Sequence, residues 1–400
     1  MIIELGKYPE FLDRVASEID IPPIKHQNAV ARYQAVGHWL EAGGYPGAWG
    51  QPSIYPQGSF RLGTVVRPIR RGIEADYDID LVCEMPLIKH RTTPHEVKHM
   101  VGRRLMQHQT YRRLLDDEGR RCWTLEYAEQ DGVGFHLDVL PAVPDGSGLQ
   151  GTALSITHKE GASYSWSASD PKGYANWFDG KNAAAFARVV VEQKQIIQRQ
   201  ASLVFESVDD VPDQLVRTPL QRSIQLMKRH RDIHCNRPEM IDYAPISIII
   251  TTLAAHLYGG ELDTHAALLG IVGRFQGHAA LVEGRAIDPT LETMGLIRRL
   301  PDGKWYIGNP VNPDENFADR WHEDDQARAR AFFSWVAALQ KDLLNVQTST
   351  NPRLLKESLS GTLGTAAVTK HFDVLVPSTG AVEPRPRIHI NSPAKPWRCR

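Results

Sequence analysis

The feature that most constrains the fold is a short alternating segment, Tyr77–Cys83, in which two aspartates are separated by a single residue. On a strand, Asp78 and Asp80 project from one face, while Ile79 and Leu81 project from the other. The segment therefore predicts a strand with one acidic and one apolar face. If the two carboxylates were buried together, their repulsion would be costly unless a cation neutralised them.

A third acid stands alone in another predicted strand, because Asp138 lies inside the apolar run Phe135–Leu140. An ionised carboxylate in such a strand requires a partner. Carboxylate oxygens suit Mg²⁺, which keeps water and substrate phosphates in its other positions. Asp78, Asp80 and Asp138 are therefore candidate metal ligands, although the first two, taken alone, are better explained as surface aspartates on an edge strand. Asp76 lies on the same face and is a further candidate that fits the pattern less well.

A Gly-Ser step precedes the acidic strand, in the sequence Gln57-Gly58-Ser59. Such a step entering a helix or tight turn offers backbone N–H groups and a hydroxyl to phosphate oxygens. By itself it is equally compatible with an ordinary turn. The order is more informative, since Ser59 stands 19 residues before Asp78 and Asp138 follows on a later strand.

Hydrophobic periodicity predicts the remaining elements. The predicted helices are Pro9–Ile19, His26–Glu41, Pro94–Leu115, Pro171–Arg199, Thr218–Cys235, Ala244–Leu257 and Glu323–Val346, with a short one at Leu354–Leu359. The predicted strands besides the acidic one are Arg121–Tyr127 and Gly134–Leu140, joined by a turn at Asp131-Gly132. Two segments rich in glycine, proline or serine are predicted to be loops, Gln51–Arg71 and Pro144–Ser169.

This order of elements predicts an α+β protein with helices first, then mixed strands and helices, then mostly helices. We expect a catalytic lobe over residues 1–215 and a helical lobe over residues 216–348. Residues 349–400 are expected to form a C-terminal tail that is partly extended or disordered, because its end is rich in proline.

Composition narrows the classes of function. The formal net charge of the 400 residues is -1, which does not favour an obligate nucleic-acid partner. The four cysteines are far apart and form no Cys-x-x-Cys pair, so neither a zinc site nor a disulfide framework is indicated. The most apolar run, Ile246–Leu257, is too short to cross a bilayer, and the N-terminus lacks the pattern of a signal peptide. A cytoplasmic protein is expected.

Taken in order, the motifs resemble the DNA polymerase beta-like nucleotidyltransferases. They are most similar to the bacterial cGAS/DncV-like nucleotidyltransferase (CD-NTase) family, which makes cyclic oligonucleotides in CBASS anti-phage defence. The resemblance spans roughly residues 10–345. The segments that carry it are Gln57–Phe60, Arg67-Pro68, Asp78–Asp80 with Met85-Pro86, His136–Val139, Ser169–Pro171 with Trp177-Phe178, Leu226–Arg229 with Pro245–Ser247, and Asn309–Trp321.

The resemblance implies a fold and a set of binding residues. The fold would be a polymerase beta-like lobe of mixed sheet and helices, facing a C-terminal helical lobe across a cleft. Gln57, Gly58 and Ser59 would hold the donor triphosphate. Lys228 and Ser247 would contact the same triphosphate from the helical lobe, where a lysine supplies a point charge and a helix start favours an anion.

The resemblance also implies a reaction. Asp78 and Asp80 would bind two Mg²⁺ ions, for which Mn²⁺ could substitute, and Asp138 would bind the ion next to the attacking hydroxyl. Nucleoside triphosphates, with ATP or GTP or both expected, would be joined into a cyclic di- or trinucleotide with release of pyrophosphate. Regulatory proteins of the defence system are expected partners.

Two other classes of function stay open on the sequence. Another enzyme of the superfamily could add nucleotides to an RNA end or nucleotidylate a protein, although an RNA end-adder would be expected to carry a stronger basic groove. A catalytically silent protein could keep the fold and bind nucleotide only as a sensor.

Overall fold

The acidic strand belongs to a mixed sheet in a computed structural model that describes residues 3–67, 69–70, 73–74, 76–130, 133–146, 151–346 and 350–377. The strands are β1 (Ser53–Gln57), β2 (Ile69–Arg70), β3 (Ile73–Glu74), β4 (Tyr77–Glu84), β5 (Trp123–Gln130), β6 (Val133–Pro144), β7 (Leu154–Glu160), β8 (Ser163–Ser169), β9 (Arg298–Arg299) and β10 (Trp305–Tyr306). Strand β4 is the predicted acidic strand.

Helices make up most of the remaining described structure. They are α1 (Tyr8–Glu18), α2 (Pro23–Glu41), α3 (Gly58–Arg61), α4 (Pro94–Gln107), α5 (Gln109–Leu114), α6 (Pro171–Gln200), α7 (Pro219–His234), α8 (Ser247–Leu257), α9 (Thr264–Gln276), α10 (Pro289–Met294), α11 (Ala327–Leu339), α12 (Pro352–Leu363) and α13 (Thr365–His371). A π-helical turn, Gln340–Leu344, continues α11. The predicted α+β class, a mixed sheet with many helices, is confirmed.

The sheet brings the sequence motifs side by side. The described residues form a six-stranded sheet in the order β1-β4-β6-β7-β8, with β5 also paired to β6. Strands β4 and β6 are parallel, with Asp80 opposite Asp138 and Asp78 opposite His136. Strand β1 is antiparallel to β4, with Gln57 opposite Asp80. Gln57, Asp80 and Asp138 therefore lie next to one another across three strands.

Both predicted loops were wrong in part. The segment Gln51–Arg71 contains β1 and α3. The segment Pro144–Ser169 contains the antiparallel hairpin of β7 and β8, which turns at Gly161. Strand β8 can be rich in serine because it lies at the edge of the sheet and buries little surface. Its composition is therefore similar to that of a loop.

The predicted helix Pro94–Leu115 is interrupted. His108 has extended backbone angles and separates α4 from α5. The amide of Tyr111 donates a hydrogen bond to His108 Nδ1 at 3.4 Å, so the histidine caps the second helix. Apolar periodicity continues across such a break, which is why the sequence predicts one helix. The predicted turn at Asp131-Gly132 lies outside the described residues.

Two large apolar cores hold the fold. In one, the apolar face of the sheet, including Ile79 and Leu81, packs with α2 and α4. The other unites α7, α8, α9 and α11 and also takes in α1 and the start of α6. Helix α12 buries Leu355, Leu359 and Leu363 in that second core, so part of the segment assigned to the tail is folded. The domain boundaries stay a prediction, and residues 378–400 lie outside the described residues.

A buried ion pair joins the end of α1 to the start of α7. Arg217, 2 % exposed, donates from one terminal nitrogen to Asp20 Oδ1 at 3.0 Å, and Arg222 donates to Asp20 Oδ2 at 3.2 Å. We expect Asp20→Ala to lower the free energy of unfolding by roughly 3–5 kcal/mol, because the buried guanidinium of Arg217 and the partly buried one of Arg222 would lose their counter-charge. Chemical denaturation measures the loss.

The control for that prediction is an exposed pair on α12, in which Arg353 donates to Glu357 at 3.0 Å. Glu357→Ala is expected to cost no more than about 0.5 kcal/mol, because solvent screens an exposed i,i+4 pair. Equal losses in the two variants would contradict the account of the Asp20 pair.

Candidate functional site

Asp80 lies at the centre of the predicted site, between Asp78 on its own strand and Asp138 on the neighbouring strand. Burial, followed by the charges of Asp138 and Asp78, raises the pKa of Asp80 to about 7. Lys228 opposes this shift. The three predicted carboxylates are thus close enough to repel one another, and a cation placed among them would relieve that repulsion.

Asp138 is held by side chains that the sequence did not single out. Thr124, its register partner on β5, donates from Oγ1 to Asp138 Oδ1 at 2.5 Å. The thiol of Cys122 lies beside the same carboxylate, and burial together with the charge of Asp138 raises the pKa of Cys122 to about 12. The thiol is therefore neutral at physiological pH. The pairing of β5 with β6 is the only signal that could have identified Thr124.

Asp78 and Asp76 flank the side chain of His136. Its Nδ1 is 3.4 Å from Asp78 Oδ1, and its Nε2 is 3.7 Å from Asp76 Oδ2. Asp76 also accepts a hydrogen bond from the amide of Gly134 at 2.9 Å. Through these contacts, Asp76 links the start of β4 to β6. This structural role agrees with the prediction that Asp76 fits the pattern of metal ligands less well than Asp78 and Asp80.

The donor set suits a hard divalent cation. Among the described residues, no group of three or more His, Cys, Asp or Glu side chains forms a ready metal cage. Mg²⁺ does not need one, because it is usually bound by one or two carboxylates and completes its shell with water and substrate phosphates. The raised pKa of Asp80 is the observation that favours a cation here.

Gly58 lies against Asp80 at the start of α3. Its φ is +63°, and a Cβ at this position would stand 2.4 Å from Asp80 Oδ2. Glycine is therefore required twice, once for the left-handed backbone and once for the close approach to the carboxylate. Gly58 also lines a cavity.

A cavity of about 520 Å³ opens next to this point. Gln57, Gly58 and Asp80 form one part of its wall. Ile246 and Ile248, at the start of α8, belong to another part. Further lining residues come from the end of β8, the start of α6 and the segment between β10 and α11: Ser167, Asp170, Tyr174, Asn309, Asp314, Glu315, Phe317 and Asp319. The cavity is large enough for a nucleotide-sized ligand.

Lys228 and Ser247 are near the site but have partners of their own. Lys228, 3 % exposed, donates from Nζ to the carbonyl and hydroxyl of Thr64 at 3.0 and 3.2 Å. Burial, followed by the charge of Arg231, lowers the pKa of Lys228 to about 7. Ser247 accepts a hydrogen bond from Arg231 at 3.0 Å. Neither residue lines the cavity directly, whereas Gln57 and Gly58 do.

Comparison with known proteins agrees with this geometry. Residues 52–141 match the family model for the nucleotidyltransferase domain of the DncV-like cyclic GMP-AMP synthases. The chain therefore contains a domain that matches the DncV-like nucleotidyltransferases over this range. The matched range contains the Gly58 step and all three carboxylates. The matched domain and the relatives described next show that the chain is a nucleotidyltransferase.

Two relatives and one solved structure illustrate the similarity. A c-di-GMP synthase from Roseivirga ehrenbergii is 28% identical over 334 residues, which is 83% of this chain and 77% of the relative. The cyclic dinucleotide synthase CdnG from Bradyrhizobium diazoefficiens is 26% identical over 372 residues, 90% of this chain and 81% of the relative. A CdnG structure in complex with GTP gives a TM-score of 0.67 at 24% identity, covering 91% of this chain and 98% of that one.

A further solved structure shares the fold at lower identity. The complex of CdnC from E. coli MS115-1 with HORMA-deltaN has a TM-score of 0.59 at 14% identity, covering 89% of this chain and 97% of that one. The similarity of the folds places the mixed sheet of this chain in the polymerase beta-like class. Among the described residues of this nucleotidyltransferase, no helix is both long and apolar enough to cross a membrane.

Proposed function

We propose that this nucleotidyltransferase joins nucleoside triphosphates into a cyclic di- or trinucleotide, with release of pyrophosphate, as a signal in anti-phage defence. The observation that carries the proposal is that Asp80 and Gly58 meet at the wall of a nucleotide-sized cavity, with Asp138 opposite Asp80 on the neighbouring strand. The names of the two curated relatives support a cyclic dinucleotide product. ATP or GTP, or both, are the expected substrates.

In the proposed reaction, a ribose hydroxyl of one nucleotide attacks the α-phosphate of another. A new oxygen–phosphorus bond forms, the bond to the β-phosphate breaks, and pyrophosphate leaves. For a trinucleotide, one more nucleotide is added in the same way. In the last transfer, the free ribose hydroxyl of the linear intermediate attacks its own α-phosphate, which closes the ring and releases the remaining pyrophosphate. Asp138 is the proposed acceptor of the hydroxyl proton, and the hydrogen bond from Thr124 orients its carboxylate. Gly58 and Ser59 are proposed to hold the donor triphosphate through backbone N–H groups and a hydroxyl.

Asp78, Asp80 and Asp138 are the proposed ligands for two Mg²⁺ ions, with Mn²⁺ as a substitute. When bound, the ions would stabilise negative charge on the attacking and leaving oxygens. The chain's own contribution is to gather oxygen donors on β4 and β6, two strands held in register by the sheet. Regulation by a partner protein is also proposed, on the ground that CdnC was solved with a HORMA protein.

Lys228 offers a test of the proposed triphosphate contact. We expect Lys228→Met to raise KM for the nucleotide by about tenfold or more, because a charge-assisted contact with phosphate contributes roughly 1.5–3 kcal/mol. Steady-state pyrophosphate release gives KM and kcat. If KM stays unchanged while the melting temperature falls, Lys228 serves only to link α7 to Thr64.

Chromatography of labelled products tests the proposed function. The purified protein is incubated with each of the four radiolabelled triphosphates, singly and mixed, in Mg²⁺, and the products are separated by thin-layer chromatography before and after phosphatase. A phosphatase-resistant spot that disappears with EDTA is expected, since a ring has no terminal phosphate. Label on protein or on added RNA would favour the other transferases, and nucleotide binding without turnover would favour a sensor.

A further inference from the structure

One face of helix α7 carries three hydrogen-bond donors, Gln221, Gln225 and Lys228. They are four and three residues apart, a spacing that places them on the same side of a helix. Gln225 and Lys228 are buried, so their polar groups require partners inside the protein. The acceptors of all three side chains lie on one short segment of the chain.

That segment, residues 62–65, follows α3, and each of the three side chains donates to one of its backbone carbonyls. The pairs are Gln221 Nε2 with the carbonyl of Leu62 at 2.8 Å, Gln225 Nε2 with that of Val65 at 2.9 Å and Lys228 Nζ with that of Thr64 at 3.0 Å. Since a shift of the segment along α7 would leave buried carbonyls without donors, the three bonds fix the register between the two elements.

Gly63 allows α7 to approach the segment this closely. Its φ is +65°, and a Cβ at this position would stand 2.6 Å from Nε2 of Gln221. Glycine is therefore required both for the left-handed backbone and for the approach of the amide group. Any side chain here would push Gln221 away from the carbonyl that it binds.

The same segment is tied to the start of α3. The amide of Leu62 donates to the carbonyl of Gly58 at 3.1 Å, and the amide of Thr64 donates to the carbonyl of Ser59 at 3.0 Å. Thr64 thus lies between the two elements, since Lys228 holds its carbonyl while its amide is bonded to Ser59. The position of Ser59 therefore depends on how the segment is held on α7.

We propose that Gln221 and Gln225 are positioning residues, which hold residues 62–65 on α7 and so place Ser59 and Lys228 on the same triphosphate. This inference rests on the proposed function, which gives Ser59 and Lys228 their contacts with the triphosphate. A bound phosphate competes for the N–H donors of Lys228 with the carbonyl that this residue holds. The two glutamines carry no charge and keep the segment in place while the lysine binds the phosphate.

Gln225→Met tests the proposal, because methionine keeps the length of the side chain and removes its N–H donors. We expect KM for the nucleotide to rise about fivefold, which is the factor that one such hydrogen bond contributes to an equilibrium. The bond from Gln225 goes to neither strand of the carboxylates, so kcat should stay within about twofold. Calorimetry on the full chain, with Ca²⁺ in place of Mg²⁺, should show the same loss of affinity.

Ser223→Ala is the matched control. Ser223 is buried on the same helix and also donates to a backbone carbonyl, that of Thr264 at the start of α9, at 3.3 Å. The melting temperature should fall in this variant as in Gln225→Met, whereas KM and affinity should stay unchanged. An unchanged KM in Gln225→Met, or an equal rise of KM in both variants, would overturn the positioning role.

Gly63→Ala disturbs the same contact from the other element, so the test does not depend on one variant. We expect its KM to rise at least about fivefold, because the new Cβ displaces the amide of Gln221. Gly161→Ala is its control, since Gly161 has a φ of +58° and open space around its Cβ position. Folded Gly63→Ala with the KM of Gly161→Ala would contradict the proposal.

A double variant shows whether Gln225 acts through Ser59. In a Ser59→Ala background, where one group that the segment positions is missing, Gln225→Met should raise KM by at most about threefold. The same fivefold rise in both backgrounds would overturn the proposal. Weaker nucleotide binding by Gln225→Met, in a protein that releases no pyrophosphate in Mg²⁺, would support the positioning role and contradict the proposed reaction. If the wild-type protein binds no nucleotide, both proposals fail.

Discussion

A protein carrying both Asp78→Asn and Asp80→Asn is expected to lose at least about 1,000-fold of its pyrophosphate release. Replacing a carboxylate by an amide removes charge but little volume, so the shape of the site is retained. Bound metal contributes several kcal/mol to the transition state of such reactions, and each 1.36 kcal/mol is a factor of ten in rate. Initial rates with labelled triphosphates in Mg²⁺ and in Mn²⁺ measure the loss.

The same variant should be at least as stable as the wild type at pH 8 without divalent metal. Because the pKa of Asp80 is raised from 3.8 to about 7 in the folded protein, its ionised form is disfavoured there. That penalty grows as pH rises through this range and is fully present above it, and asparagine removes it. Thermal melting at pH 5 and pH 8 checks the direction.

Asp76→Asn is the matched control for that variant, since Asp76 is an acid of the same segment outside the proposed ligand set. Its Oδ1 can still accept from the amide of Gly134, so activity is expected to stay within a few-fold of the wild type. Pyrophosphate release retained by the double variant, or lost equally in Asp76→Asn, would show that the metal ligands have been wrongly assigned.

Gly58→Ala is expected to have the second largest effect. The new Cβ would stand 2.4 Å from Asp80 Oδ2, on a backbone with φ of +63°. Either α3 or Asp80 must move, and a displacement of about 1 Å at a reacting centre can cost about 100-fold in rate. The free energy of unfolding should also fall by roughly 2–4 kcal/mol, from the left-handed backbone and the steric overlap together. Steady-state rates and chemical denaturation measure the two effects.

Gly161→Ala separates those two causes. Gly161 turns the hairpin with φ of +58°, but nothing lies within 4 Å of the position its Cβ would take. Alanine there should cost only the backbone penalty of roughly 1–2 kcal/mol and leave the rate unchanged. Suppose that Gly58→Ala lowers the free energy of unfolding no more than Gly161→Ala and leaves the reaction rate unchanged. The close approach of Gly58 to Asp80 would then matter neither for stability nor for activity.

The acidic strand could be predicted from the sequence because its information is local. Alternation over Tyr77–Cys83 gives both the strand and the common face of Asp78 and Asp80. Predicting that Asp138 lies near Asp80 requires knowledge of the strand pairing. Strands β4 and β6 are parallel neighbours, with Asp80 opposite Asp138. Sequence order and the resemblance to a known family supplied that step, since spacing alone does not fix strand pairing.

The elements that were missed depend on tertiary contacts. Strand β1 is short and contains Pro56, which an edge strand tolerates, and β7 with β8 looks like loop by composition. His108 breaks a periodic helix through its backbone angles. No local pattern marks such positions as strand or as helix end.

The cavity wall was missed for a related reason. Asp170 and Glu315 are 145 residues apart in the chain and come together only through the packing of α6 against the segment after β10. In the sequence, they belong to two separate segments of the family resemblance, Ser169–Pro171 and Asn309–Trp321, and nothing local brings those segments together. Their shared environment is visible only in three dimensions, where burial, and with it the charge of Asp170, raises the pKa of Glu315.

High-resolution mass spectrometry of the product tests the central claim most directly. The purified protein is incubated with GTP and ATP in Mg²⁺, and the mass of the phosphatase-treated product is measured. The double variant, Asp78→Asn with Asp80→Asn, serves as the blank. The expected product is a closed ring. Its mass equals that of two or three nucleoside monophosphates less one water for each phosphodiester bond. A linear product that keeps its 5′-triphosphate before treatment and gains no ring, or no product at all, would contradict it.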